Sequence, residues 1–453
     1  MLFFGFISLA LATSVPPPPK FEPGVCAVKD LEQRARCGVV RVPENRENPA
    51  ARSIALNIVI LPSTSPARLP PLFDIDGGPG LPGTKNAGFY ASNGVSAGRD
   101  VVLIDQRGTG RSNGLVCPEL QNLKPTDEML PRAGVASCLR RLRGQADLRF
   151  YGTADAVHDI DDVRRTLGYE KIDLFGLSYG TTVALQYMRR HPDSVRAAIL
   201  MGVVPPDTMP PSKHATAGAR ALDLLFADCA ADAQCSKAFP RLADDLRKAR
   251  AKAPSAGFTD EVFMERLRGL MYVPPTRAGL PLMIHKAAEG DFQPLLAKAP
   301  ETGASLIADG MFLAVTCGES FALMNYAKAE AASLATPFAA YRLRQQRAAC
   351  EGWPRVRLAP DHLELPTQSS ATVLMISGGM DPVTPPEWAD AIVRKLRRAR
   401  HLVVAKSGHI PDGISGLDTC LDPLMIQFLD HADPTKLDAS CIEAMRAPAY
   451  SVE

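Results

Sequence analysis

The chain has almost no excess of charge. Its 453 residues carry 51 Lys and Arg against 49 Asp and Glu, so no nucleic acid or other polyanion is expected as a partner. Its ten cysteines form no Cys-x-x-Cys pair, the spacing of a structural zinc site, and no metal is expected. The apolar opening, Met1 to Ala12, falls short of the about 20 residues that a membrane span needs. No stable span is expected after processing. There is no internal repeat, and no low-complexity tract beyond the prolines at Pro16 to Pro19. One glycine-rich loop, Asp105-Gln106-Arg107-Gly108-Thr109-Gly110-Arg111-Ser112, lacks the Gly-Lys-Ser/Thr ending of a phosphate loop. Its Asp105 and Arg107 read as a structural pair bracing the floor of a cleft.

What is present is a serine between glycines, Gly176-Leu177-Ser178-Tyr179-Gly180. It directly follows the strand-like run Ile172 to Phe175. It precedes a helical stretch, Thr181 to Arg190, which basic residues and Pro192 bring to a stop. A strand–turn–helix junction around such a serine is the nucleophile elbow of an α/β-hydrolase.

A serine nucleophile needs a base, and the base needs a carboxylate to orient it. In this fold the chain order is Ser, then Asp or Glu, then His. Val373 to Ser377 reads as a buried strand and runs into Gly378-Gly379-Met380-Asp381-Pro382. His401 to Ala405 reads as another strand and runs into Lys406-Ser407-Gly408-His409. Ser178, Asp381 and His409 each lie just past a strand end, where open α/β sheets bind ligands. Developing negative charge on the attacked carbonyl oxygen calls for two N–H donors. Tyr179 supplies one, as the residue after the nucleophile. The second falls in Asp76-Gly77-Gly78-Pro79-Gly80, after the strand Pro71 to Ile75. Proline has no N–H, and of Gly77 and Gly78 the favoured donor is Gly78.

Together, Gly-Gly-Pro-Gly, Asp-Gln-Arg-Gly-Thr-Gly, Gly-x-Ser-Tyr-Gly-Thr, Gly-x-x-Asp-Pro-Val-Thr-Pro and Gly-His resemble the proline iminopeptidase and tripeptidyl aminopeptidase family of serine exopeptidases. The likeness runs from about Cys37 to about Cys441. The form Ser-Tyr-Gly-Thr at 178–181 is closer to the secreted tripeptidyl aminopeptidase branch. The resemblance implies Ser178, Asp381 and His409 as a triad and Gly78 with Tyr179 as an oxyanion hole. It departs from the family pattern at Asp76, where His or Asn is usual, and at Ile410, where glycine often follows the histidine.

The expected architecture is an α/β-hydrolase: a mostly parallel sheet with helices on both faces and an inserted helical cap. Residues 1–13 read as a signal peptide, with Ala10-Leu11-Ala12 fitting a cleavage site, although a basic start is missing. Residues 14–36 read as a linker and N-terminal segment. The hydrolase core is expected over 37–206, the cap over 207–360, and the rest of the core over 361–453. A secretory start with an even cysteine count implies disulfides. Nearest-neighbour pairing would join Cys26 to Cys37, Cys117 to Cys138, Cys229 to Cys235, Cys317 to Cys350 and Cys420 to Cys441. The expected location is secreted or periplasmic.

The function these readings imply is a secreted serine exopeptidase with no metal or organic cofactor. It would release N-terminal residues or tripeptides from short peptides with a free N-terminus. Such an enzyme must read an amino group with a carboxylate; Glu319, with Glu351 as rival, is the candidate substrate-binding acid. A carboxylesterase of the same fold is the first alternative, and a non-catalytic binding protein the second.

Overall fold

The computed structural model describes residues 19–26, 28, 31, 34–66, 69–297 and 306–453. The signal peptide expected over 1–13 lies outside them. Among the described residues no helix is long and apolar enough to cross a membrane.

The molecule is organised by a nine-stranded sheet of order β1-β2-β3-β5-β4-β6-β7-β8-β9. The first three strands, β1 (Phe21–Gly24), β2 (Arg36–Pro43) and β3 (Ser53–Leu61), pair antiparallel. β3 also runs antiparallel to β5 (Val101–Ile104). From there the pairing is parallel, through β4 (Leu72–Ile75), β6 (Ile172–Leu177), β7 (Val195–Met201), β8 (Thr372–Gly378) and β9 (Ala399–Val404).

Parallel strands covered on both faces read as unbroken apolar runs, and β5 shows why. Val102 and Ile104 face one buried cluster while Val101 and Leu103 face another. The helices Thr153–Thr166 and Tyr179–Arg190 supply apolar side chains to the first cluster, and Asp422–His431 to the second. Phe21–Gly24, within the segment read from sequence as a linker and N-terminal segment, forms the sheet edge as a four-residue strand with a proline, too short to show a period.

Between β7 and β8 the described residues are helical, with no strand. The helices His214–Ala231, Leu242–Lys252, Asp260–Leu270 and Leu280–Glu289 share a separate apolar cluster that includes Phe263, Ile284 and Phe338. Gln293–Ala297 adds Leu295 to this cluster, whereas the later helix Asp309–Val315 leaves it and packs into the main core through Met311, Leu313 and Ala314. The five disulfides join the neighbouring cysteines as expected, with the 317–350 bond tying that returning segment to the helix end at Ala349.

Candidate active site

Ser178 sits between β6 and the helix Tyr179–Arg190 at φ 56°, ψ −122°. That backbone is costly for a residue with a side chain, and such strain persists only where the surroundings enforce it. The flanking glycines show how. A β-carbon on Gly180 would lie 1.9 Å from the Ile75 carbonyl oxygen, and one on Gly176 would lie 2.8 Å from the Gly180 carbonyl oxygen. The elbow is pressed so tightly against the end of β4 that only glycine fits on either side of the turn.

Asp381 lies three residues past β8 and is completely buried. Its Oδ1 accepts from the backbone N–H groups of Val383 (2.7 Å) and Thr384 (2.9 Å). Its Oδ2 accepts from the Thr384 hydroxyl (2.7 Å) and faces His409 Nδ1 at 2.8 Å. The threonine proton is directed to Asp381, so the imidazole must carry its own proton on Nδ1 to complete the set. That leaves Nε2 free to accept. Burial pushes the Asp381 carboxyl up, but the imidazole and the threonine hydrogen bonds outweigh it and hold it below the ordinary carboxylate value.

His409 is fixed from its other side by Tyr272, on the loop after the helix Asp260–Leu270. The His409 N–H donates to the Tyr272 carbonyl at 2.8 Å, and the two rings meet edge to face at 5.4 Å. Gly408 is required here, because a β-carbon on it would fall 2.2 Å from the same carbonyl oxygen. Ser178 and His409 both border the segment Met201-Gly202. The Ser178 N–H donates to the Met201 carbonyl at 2.8 Å, and a β-carbon on Gly202 would lie 3.1 Å from His409 Cε1.

The loop after β4 covers Ser178 from above, with a Gly77 β-carbon position 2.9 Å from Ser178 Cβ. The Gly77 N–H is directed to Asp76 Oδ1 at 2.6 Å. Gly78 has φ 108° and precedes a cis bond to Pro79. Asp76, the departure from the family pattern, is buried and compensated: Lys85 Nζ lies 2.7 Å and Asn86 Nδ2 3.0 Å from its Oδ2. Asn86 also donates to Asp74 Oδ2 at 2.8 Å. Burial, reinforced by Asp76, lifts the Asp74 carboxyl to about 7.

One expectation needs correction. Asp105 and Arg107 are not a pair. Asp105 accepts from the Thr84 N–H and hydroxyl, Asn57 and the Arg111 N–H. Arg107, fully buried, grips Asp159 with two bonds of 2.6 Å and reaches the carbonyls of Glu44 and Phe150. Both glutamates expected to meet the substrate's amine already have partners in the structure. Glu351 is exposed and paired with the exposed Arg132 at 2.8 Å. Glu319 is buried, and its two oxygens are held by Thr153. Thr384, Tyr272 and Lys85 were not singled out from sequence. Thr384 alone left a signal there, as the third residue after a turn aspartate.

This topology, with a strained serine at the strand–helix elbow, is the α/β-hydrolase fold. The family model described as the alpha/beta hydrolase fold matches residues 78–234, around Ser178. The model described as TAP-like protein matches residues 336–441, around Asp381 and His409. The chain is a serine hydrolase, and it belongs to the proline iminopeptidase and tripeptidyl aminopeptidase family. The tripeptidyl aminopeptidase of Streptomyces coelicolor is 24% identical over 463 residues, covering 91% of this chain and 84% of that protein. Serine protease Hip1 of Mycobacterium tuberculosis is 30% identical over 223 residues, covering 44% of this chain and 42% of that protein. The crystal structure of proline iminopeptidase from Mycobacterium smegmatis covers 88% of this chain and 99% of its own, at 15% identity and a TM-score of 0.42.

Proposed function

We propose that the protein is a secreted or periplasmic serine exopeptidase that removes N-terminal residues or tripeptides from short peptides. The observation that supports the reading is the 2.8 Å contact between Asp381 Oδ2 and His409 Nδ1, which leaves Nε2 free to accept a proton. Ser178 Oγ attacks the peptide carbonyl carbon while His409 Nε2 takes the hydroxyl proton. The carbonyl oxygen, now negative, accepts from the N–H groups of Gly78 and Tyr179. The tetrahedral adduct collapses, the C–N bond breaks, and His409 returns the proton to the leaving amine. Water then attacks the acyl-serine by the same route. Asp381 keeps the imidazole proton on Nδ1 throughout. The helices between β7 and β8 act as a cap, and Tyr272 touches His409 from that side. The five disulfides and the want of a spanning helix among the described residues are consistent with an oxidising compartment.

The engaged state of Glu319 and Glu351 favours one second reading. With both carboxylates already paired, the same machinery would serve a carboxylesterase equally well. A panel of Pro-, Ala- and tripeptidyl-arylamides, each with an N-blocked control, and a set of acyl esters separates the two. The expected outcome is cleavage of free-amine arylamides at a kcat/KM at least about 10-fold above their blocked forms, a difference of one charge-assisted contact. Equal rates on blocked and free substrates, with esters turned over faster, would establish the esterase instead.

A further inference from the structure

Glu319 lies on a π-helical turn, Thr316–Ser320, and is only 5% exposed. Single π turns occur often at functional sites. One residue occupies both carboxylate oxygens: Oε1 accepts from the Thr153 N–H at 2.6 Å and Oε2 from the Thr153 hydroxyl at 2.7 Å. A hydroxyl has one proton to give. Thr153 Oγ1 must therefore accept at its 2.9 Å contact with the Tyr179 phenol. Donation runs from Tyr179 to Thr153 to Glu319 and ends on a negative charge.

A second arm reaches the same helix. His362 Nε2 lies 3.5 Å from Glu319 Oε2, and its Nδ1 faces the Gln186 amide nitrogen at 3.2 Å. An amide nitrogen donates, so Nδ1 accepts and the His362 proton sits on Nε2, toward Glu319. Tyr179 opens the helix that follows the nucleophile, and Gln186 lies two turns further along it. One buried carboxylate is thus linked to that helix at two points.

We propose that Glu319 is a positioning residue, which through Thr153 fixes the Tyr179 side chain and with it the direction of the Tyr179 backbone N–H toward the oxyanion, instead of binding the substrate's amino group. The inference rests on the hydrolase reading above, with Ser178 as nucleophile.

The arrangement has two states. Burial lifts the Glu319 carboxyl to about 7, against the Thr153 hydrogen bonds and with a further push from Asp155. The titratable groups that face it are Tyr179, His362 and Asp155. Burial raises the Tyr179 phenol far above its ordinary value, and burial together with Arg190 lowers His362. Burial also raises Asp155, against the attraction of Arg107. Above about pH 7 the relay ends on a carboxylate. Below it Glu319 becomes a donor, Thr153 turns its proton toward Tyr179, and the phenol proton loses this acceptor. Hydrogen bonds to a charged acceptor are roughly twice as strong as neutral ones, so Tyr179 is held more firmly in the ionised state.

Glu319→Gln imposes the neutral state. On a peptidyl arylamide at about pH 8.5 the expected kcat is about 10-fold below wild type with KM within about twofold. The ratio of wild-type to variant kcat should shrink toward one by about pH 5.5. Taking the ratio cancels every pH dependence that both proteins share. Tyr179→Phe removes the hydroxyl and keeps the backbone N–H. It should show the same loss, and the double variant no more than either single one. Thermal midpoints identify folded protein; should Glu319→Gln not fold, Tyr179→Phe carries the comparison alone. A ratio that stays flat across pH overturns the inference. So does a KM increase confined to free-amine substrates, which would return Glu319 to reading the amino group. Labelling of Ser178 by a fluorophosphonate separates the two levels. A wild-type protein that takes no label contradicts the hydrolase reading itself. Equal labelling rates in wild type and Glu319→Gln at about pH 8.5 contradict the positioning role alone.

Discussion

Ser178→Ala should lower kcat on a peptidyl arylamide by about 10⁵-fold or more, leaving only the residual rate that binding and the oxyanion donors sustain. The thermal midpoint should not fall with it. Alanine at φ 56°, ψ −122° suffers the same backbone strain as serine, so the cost of the elbow is unchanged. The loss is one of chemistry, read as kcat under saturating substrate with the midpoint measured alongside. Activity within about 10-fold of wild type would mean that the nucleophile is elsewhere.

Arg107→Met should produce the opposite pattern, a large loss of stability. The guanidinium has no exposure and satisfies Asp159, itself almost wholly buried, as well as the carbonyls of Glu44 and Phe150. Burial disfavours the guanidinium charge, yet Asp159 and Asp155 raise the Arg107 pKa beyond its ordinary value. Removing one member of a buried pair leaves the other charge without its partner, at a cost of about 3–5 kcal/mol. Arg46 also contacts Asp159, which places the expected value near the lower end, about 3 kcal/mol. Chemical denaturation measures it directly as a lower midpoint at unchanged slope. A change below about 0.5 kcal/mol, the usual range for surface substitutions, would show that the pair contributes nothing.

The parts of this molecule that could be read from sequence are those set by short-range rules. β5 and β8 stand out because strands covered on both faces read as buried runs. Ser178, Asp381 and His409 stand out for a related reason. Each follows a strand, and each lies near a backbone so crowded that Gly176, Gly180, Gly378 and Gly408 mark places where no side chain fits. Long-range pairing leaves no such mark. Asp105 is the nearest acid to Arg107 in the chain, whereas Asp159, 52 residues away, is its partner. Glu319 and Thr153 are 166 residues apart. Charge complementarity between distant segments has no period and no turn chemistry, so the chain order could not reveal it. The return of Asp309–Val315 to the main core was hidden likewise, because a buried helix reads the same whichever core receives it.

The most direct check on the central claim is intact-mass measurement after a fluorophosphonate is added to the wild type and to His409→Ala, followed by mapping of the modified peptide. One adduct per molecule is predicted in the wild type, located at Ser178, with its rate of formation reduced about 1,000-fold or more when the imidazole is removed. A wild-type protein that stays unmodified, or one modified at a different serine, would contradict the account.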